Sequence, residues 1–178
     1  MDAAYYARYH GLETVALRYF NVFGPRQRND SPYSGVIAIL MRALLAKQPV
    51  TVYGTGLQTR DFIYVEDVAA AVGLAIAQPH LQNEVINIGR GHQVTLLALI
   101  ETIAQLIGSA PELVFAPPRA GDVPHSLADI SRLRATLQHT PGVSLSAGLA
   151  HTLHWWMANQ KVPALAGTPS GSPADRAA

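Results

Sequence analysis

The stretch VTVYGTGLQTRDFIYVEDVAAAV, residues 50–72, combines strand-like and helix-like patterns within a short length of chain. Residues 50–53 are mostly β-branched or aromatic and run into a glycine-rich turn, which is typical of a short strand. Residues 61–65 form a second extended segment, and a helix over 66–78 follows, with Pro79 just beyond its end. Strands that alternate with a helix in this way predict an α/β domain.

The alternation extends outward from this stretch in both directions. Further strands are predicted at 14–20, 84–88 and 113–116, and further helices at 3–10, 35–47, 95–107, 129–137 and 146–160. Residues 21–34 contain glycine, proline, asparagine and aspartate, so they are predicted as a loop. Thr95 is expected to cap the helix that it precedes. The last helix is expected to pack on the body through Leu149, Leu153 and Trp156.

Composition and charge narrow the classes of function. The chain has 178 residues, 49% of them hydrophobic, and a formal net charge of +1, which predicts one folded domain without strong attraction to nucleic acid or membranes. The absence of cysteine excludes disulfides, thiolate nucleophiles and cysteine-based metal sites, and it suits a cytoplasmic protein. The first twelve residues lack the pattern of a signal peptide. Residues 161–178 are rich in proline, glycine, serine and alanine and are predicted as a disordered tail.

Three familiar kinds of functional motif, for dinucleotide binding, metal binding and hydrolysis, have little support in the sequence. The run GRGHQV at 89–94 follows a predicted strand, but Val94 replaces the third glycine of a dinucleotide-binding loop, so an ordinary turn is favoured. His151 and His154 share a helix face opposite the apolar stripe, which favours solvent exposure over metal binding. No Gly-x-Ser-x-Gly sequence is present, and Asp61 and Asp122 have ordinary alternatives to acid–base catalysis.

Phosphate binding is better supported by the residues. Asn21, Arg60 and Arg119 each occupy a segment next to the end of a predicted strand, which is where ligands bind in open α/β sheets. Arginine presents planar, paired donors that match phosphate oxygens. The alternative for each arginine is a surface salt bridge, such as one between Arg119 and Asp122. The residue types alone leave a diphosphate ligand and surface ion pairs both open.

Five sequence motifs, taken in their order along the chain, resemble those of a known family. They are LRYFNVFGPRQR at 17–28, the stretch 50–72 quoted above, VINIGRG at 85–91, PPRAGD at 117–122 and ADISRLRATL at 128–137. Together they resemble the second half of extended short-chain dehydrogenase/reductases, in the UDP-glucose 4-epimerase-like branch of the NAD-dependent epimerase/dehydratases. The resemblance covers residues 1–160.

The resemblance implies a fold and a division of the chain. It implies the second half of a Rossmann-type α/β fold, with remnants at about 1–23 and 60–90, joined to a small substrate-binding domain. The substrate-binding parts are expected at about 24–59 and 91–160. The glycine-rich βαβ half that opens such enzymes is not found in this sequence.

The resemblance also assigns roles to seven residues. Tyr19 corresponds to the aromatic residue that contacts the nicotinamide of NAD. Asn21, Arg60 and Arg119 correspond to residues that hold the diphosphate of a UDP-sugar. Asp122 corresponds to an acid that contacts the nucleotide ribose or fixes its own loop, and the base is lined by the segment with Val52 and Tyr53. The intact family implies a homodimer built from two helices, of which this chain contains only part.

The catalytic pair of the family is missing from the chain. That pair is a tyrosine four residues before a lysine, whose charge lowers the pKa of the phenol. The only lysines are Lys47 and Lys161, and the residues four positions earlier are Ala43 and Met157. We therefore expect a truncated chain that begins just after the catalytic pair, keeps the UDP-sugar-binding half and is inactive alone. The alternatives are a non-catalytic module completed by a partner chain, or a dehydratase, decarboxylase or reductase of the same family.

Overall fold

The computed structural model describes residues 3–28, 35–79, 81 and 84–159. The predicted tail, 161–178, lies outside these residues. In chain order the elements are α1 (Ala3–His10), β1 (Val15–Tyr19), β2 (Asn21–Phe23), α2 (Val36–Leu45), β3 (Val50–Tyr53), β4 (Thr59–Tyr64), α3 (Val65–Ala77), β5 (Glu84–Ile88), β6 (Gln93–Thr95), α4 (Leu96–Ile107), β7 (Leu113–Ala116), α5 (Ser131–Leu137) and α6 (Leu145–Asn159). The predicted α/β class is confirmed.

Parallel pairs of strands dominate the sheets. β1 pairs with β5, β2 with β4 and β3 with β7, each in parallel orientation. β6 is the exception, because it runs antiparallel to β4. Parallel pairs require crossover connections, and helices supply several of them here, as in other α/β proteins.

The prediction of a continuous loop at 21–34 is wrong at its start. β2 occupies the first three residues and pairs with β4, with Asn21 opposite Phe62 and Phe23 opposite Tyr64. Phe23 is buried and its ring lies 5.7 Å from that of Tyr64. Burial of this aromatic side chain against β4 outweighs the turn signal of the glycine and proline that follow it.

The second short strand, β6, is also absent from the sequence prediction. It lies between the turn after β5 and the start of α4, and it places Thr95 opposite Thr59 and Gln93 opposite Asp61. The predicted cap is confirmed, since Thr95 Oγ1 accepts a hydrogen bond of 3.1 Å from the backbone N–H of Ala98. Gly108 ends α4 in the left-handed conformation, with φ of 71°.

The buried side chains form two clusters. The larger one joins α2, α4 and α6 to the inner faces of β2, β3 and β4. The smaller one joins α3 and α5 to β4 and β5, and it includes Ile63, Ile86, Ile88 and Leu133, all fully buried. Although α5 belongs by position to the proposed substrate-binding part, it packs against the strand of the proposed Rossmann part.

The last helix packs as its sequence predicts. Leu149, Leu153 and Trp156 are buried in the larger cluster, while His151 and His154 are exposed. Gly148 allows the close approach, because a Cβ atom there would lie 2.8 Å from the rings of both Phe23 and Tyr64. At the start of α5, Asp129 Oδ1 accepts a hydrogen bond from Ser131, and this bond holds the pKa of the Asp129 carboxyl below its usual value.

Candidate functional site

One cavity combines charged and apolar walls at the ends of β3 and β4. It has a volume of about 330 Å³. The apolar part of the lining is Val36, Ile39, Leu40, Phe62, Val94 and Leu96, and the polar part is Thr51, Tyr53, Gln58, Arg60, Arg119 and Asp122. An apolar pocket with a few converging polar groups is the usual form of a small-molecule site.

Arg60 is aimed into the cavity by the pleat of β4. Its neighbours Thr59 and Asp61 are buried on the other side of the strand, so the side chain of Arg60 faces outward. Nη1 donates to the backbone oxygen of Thr59 at 2.8 Å, and Nη2 donates to Asp122 Oδ1 at 2.6 Å. A guanidinium has five N–H donors, so Arg60 keeps donors for an anionic ligand while its position is fixed.

Arg119 reaches the same cavity from the segment that follows β7. Its guanidinium carbon lies 3.8 Å from the centre of the Tyr53 ring, which is a close cation–π contact. Asp122 pairs with Arg60, so the surface pair of Arg119 with Asp122 that the sequence left open is not the arrangement observed. Two cationic groups from distant parts of the chain therefore face one cavity.

The segment 117–126 is fastened to β4 at its far end. The backbone N–H of Thr59 donates to Pro124 O at 2.9 Å, and the backbone N–H of Ser126 donates to Thr59 O at 3.1 Å. Thr59 Oγ1 also lies 3.1 Å from Nδ1 of His125. These contacts fix the segment that carries Arg119 and Asp122 relative to the strand that carries Arg60.

Asp61 organises the backbone behind the cavity. Its carboxylate is fully buried and accepts hydrogen bonds from the backbone N–H groups of Arg90 and Gly91, both at 2.8 Å, and of Ala128, at 3.2 Å. The Nδ2 group of Asn21 donates to the backbone oxygen of Asp61 at 2.8 Å. Asp61 thus joins β4 to two segments far away in sequence, and spacing in the sequence gives no sign of this.

These contacts explain the glycines of the GRG sequence. A Cβ atom on Gly89 would clash with the Cβ of Ala128, and one on Gly91 would lie 2.8 Å from the side chain of Ile130. Two backbone N–H groups of this loop are already bound to Asp61, so they are not free to hold a pyrophosphate. The loop therefore does not fit the dinucleotide-binding role of a glycine-rich loop.

The other three residues named from the resemblance lie outside the cavity. Val52 is fully buried in the larger core cluster, directly before the cavity residue Tyr53. Asn21 lies on β2, with its amide nitrogen bound to Asp61. Tyr19 is half exposed and lines a separate groove between β1 and α3.

Gln58 is a cavity residue that sequence reasoning did not single out. Its Nε2 donates to the backbone oxygen of Tyr53 at 3.0 Å. The residue stands in the same motif as Arg60, but a glutamine in a turn has no spacing or charge signal that distinguishes it from a solvated side chain.

The described ranges also bear on metal binding and on membrane crossing. Over 3–28, 35–79, 81 and 84–159 there is no group of three or more histidine, cysteine, aspartate or glutamate side chains placed to bind a metal ion. The helices of these same ranges include none with the length and apolar character needed to cross a bilayer.

Comparison with known proteins, by sequence and by structure, gives a consistent family. Residues 2–89 match the model of the NAD dependent epimerase/dehydratase family. A UDP-N-acetyl-alpha-D-glucosaminuronate decarboxylase from Bacillus cytotoxicus is 36% identical over 152 residues, which are 82% of this chain and 47% of the relative.

Solved structures extend the similarity to the fold. UDP-glucose 4-epimerase from Thermotoga maritima, solved with UDP-glucose, is 38% identical with a TM-score of 0.81, over 86% of this chain and 49% of that one. UDP-glucuronic acid 4-epimerase from Bacillus cereus, solved with UDP-glucuronic acid and NAD, is 33% identical with a TM-score of 0.79, over 88% and 49%. The chain spans about half the length of these relatives. It shares the α/β architecture of Rossmann-type epimerases and belongs to the NAD-dependent epimerase/dehydratase family.

Proposed function

We propose that this chain binds a UDP-sugar, as the nucleotide-sugar-binding portion of a UDP-sugar 4-epimerase-type protein. The observation that carries the proposal is the convergence of Arg60 and Arg119 on one cavity whose remaining walls are largely apolar. The relatives solved with UDP-glucose and UDP-glucuronic acid support this ligand class.

The cavity has a cationic side that suits the diphosphate of the ligand and an aromatic side that suits its flat base. Arg60 and Arg119 donate to the diphosphate, because their guanidinium groups match pairs of phosphate oxygens. Asp122 orients Arg60 through their 2.6 Å contact and offers an acceptor to a ribose hydroxyl. Tyr53 provides an aromatic wall for the base. Asn21, through Asp61, holds β2 next to β4.

When bound, NAD would supply the chemistry of the family, which is the removal of a hydride from a sugar carbon and its return. We assign the nicotinamide contact to Tyr19 by the family resemblance, and its half-exposed side chain on β1 is accessible to a ligand. The sequence contains no tyrosine four positions before a lysine, so it lacks the family's proton-transfer pair. We therefore propose binding without turnover for the chain by itself. Epimerisation is the reaction we favour for the complete protein, which we expect in the cytoplasm.

Calorimetric titration of the purified chain with UDP-glucose tests the binding proposal. Arg60→Met keeps the aliphatic stem and removes the donors, so it should weaken binding about tenfold or more. Arg134→Met, on the exposed face of α5, is the matched control and should bind like the wild type. A folded wild-type chain that binds no UDP-glucose at millimolar concentration would overturn the proposal.

A second candidate function is a non-catalytic module completed by a partner chain. In the described part of the chain, β1 pairs only with β5, so the other edge of β1 is open. A groove of about 420 Å³ runs beside it, and Ile76 on α3 is 81% exposed there. An open parallel edge next to apolar side chains fits an added α/β unit. A cooperative melt raised by UDP would favour a folded binding module, whereas aggregation of the chain alone would favour a fragment.

A further inference from the structure

Gln58 lies in the cavity with its backbone and side chain both fixed. Its backbone oxygen accepts a hydrogen bond of 3.0 Å from the N–H of Leu96, at the start of α4. Its side-chain Nε2 donates to the backbone oxygen of Tyr53 at 3.0 Å. The residue is half buried, so the carboxamide is held against the cavity wall and does not move freely in solvent.

The contact with Tyr53 determines which way round the carboxamide stands. A carbonyl oxygen accepts hydrogen bonds, so the amide nitrogen must face it and the two oxygens must point apart. Oε1 is then the polar atom of Gln58 that is left for a ligand. Among the described residues, the side-chain hydrogen bond found for Gln58 is the one that Nε2 donates to Tyr53. The cavity therefore presents a fixed acceptor beside the aromatic wall of Tyr53.

The geometry points to Gln58 as the residue that selects the base of the nucleotide. This inference rests on the proposed UDP-sugar function of the same cavity. Uracil carries an N–H donor at its N3 position, which matches the Oε1 acceptor. Cytosine, a base of nearly the same size, carries an acceptor there, so two lone pairs would face each other. Gln58 thus favours uridine over cytidine nucleotides.

Titration of the wild-type chain with UDP and with CDP tests this selectivity. A site that hydrogen-bonds one group discriminates against an analogue that lacks it, so we expect UDP to bind about tenfold more tightly or better. UDP methylated at N3 should bind as weakly as CDP, because the donor is gone. Dissociation constants for UDP and CDP within about threefold of each other would overturn the role of Gln58.

The variant Gln58→Met assigns the selectivity to this side chain. Methionine has a similar length and no carboxamide, so the ratio of the two dissociation constants should fall to within about threefold. Gln105→Met, an exposed position on α4, is the matched control and should keep the wild-type ratio. A folded Gln58→Met chain that keeps the wild-type ratio would overturn the assignment.

Titration with inorganic pyrophosphate distinguishes failure of the proposed UDP-sugar binding from failure of base selection by Gln58. Pyrophosphate carries no base, so wild type and Gln58→Met should bind it equally. A wild-type chain that binds neither pyrophosphate nor UDP would overturn the proposed function itself. Binding of pyrophosphate and UDP without preference over CDP would leave that function in place and overturn only the base selection. If Gln58→Met does not fold, Gln58→Asn, which carries the carboxamide on a shorter side chain, takes its place, and an unchanged ratio of the UDP and CDP dissociation constants would again overturn the assignment.

Discussion

At the scale of single residues, the buried carboxylate of Asp61 joins β4 to two distant segments of backbone. It accepts three backbone N–H groups from two segments. Asp61→Ala would leave these buried donors without an acceptor, so the free energy of unfolding should fall by about 2–5 kcal/mol. Asp122→Ala, which removes an exposed ion pair, should cost less than about 1 kcal/mol. Urea denaturation of both variants checks this, and a loss below about 1 kcal/mol for Asp61→Ala would contradict it.

The same residue shows what the sequence does not reveal at this scale. Arg60 and Arg119 both line the cavity, as their position next to predicted strand ends led us to expect, and their binding of an anion stays a prediction. Asp61 and Gln58 were not predictable, since their partners are set by the backbone of distant segments. Asp67 is a further example: it lies in the first turn of α3, and its oxygens accept from the N–H groups of Gly142 and Val143, which are distant in sequence.

At the scale of secondary structure elements, the contact of α6 with β2 and β4 depends on Gly148. Gly148→Ala would place a Cβ atom 2.8 Å from two buried rings. Alanine favours a helix by about 1 kcal/mol, but overpacking costs about 1–3 kcal/mol, so a net loss of unfolding free energy is expected. Gly73→Ala in α3 is the matched control, because no atom lies within 4 Å of its added Cβ.

The two variants should shift urea denaturation in opposite directions. Gly73→Ala gains helix propensity without a clash, so it should stabilise the chain by about 0.5–1 kcal/mol. Stabilisation by both substitutions would contradict the packing described for α6. A gain at Gly148 alone would contradict it as well.

The long elements were predictable because their signals are local. α4 carries an apolar stripe, a threonine cap and a terminal glycine, all of which the structure contains. β2 and β6 have three residues each, which is too short for a periodic pattern. Both form because β4 offers them an edge, and that edge comes from a segment distant in sequence. Tertiary pairing, not local preference, decides such strands.

At the scale of the whole molecule, the sequence contains the two arginines of the cavity and lacks the family's catalytic tyrosine–lysine pair. The chain contains both Arg60 and Arg119, and its only lysines have Ala43 and Met157 four positions before them. The proposal of binding without turnover follows from this difference, because the groups assigned to binding are present and the family's proton-transfer pair is not.

We expect no conversion of UDP-glucose to UDP-galactose by the purified chain at saturating NAD. The sequence contains no tyrosine four positions before a lysine, so it lacks the residue that accepts the proton of the sugar hydroxyl in the family. Chromatography of the nucleotide sugars after long incubation measures the outcome, with calorimetric binding of UDP-glucose to the same sample as the control for folding. Turnover by this sample would show that another residue serves as the base. Binding without turnover would support the proposal that this chain holds the nucleotide sugar and does not convert it.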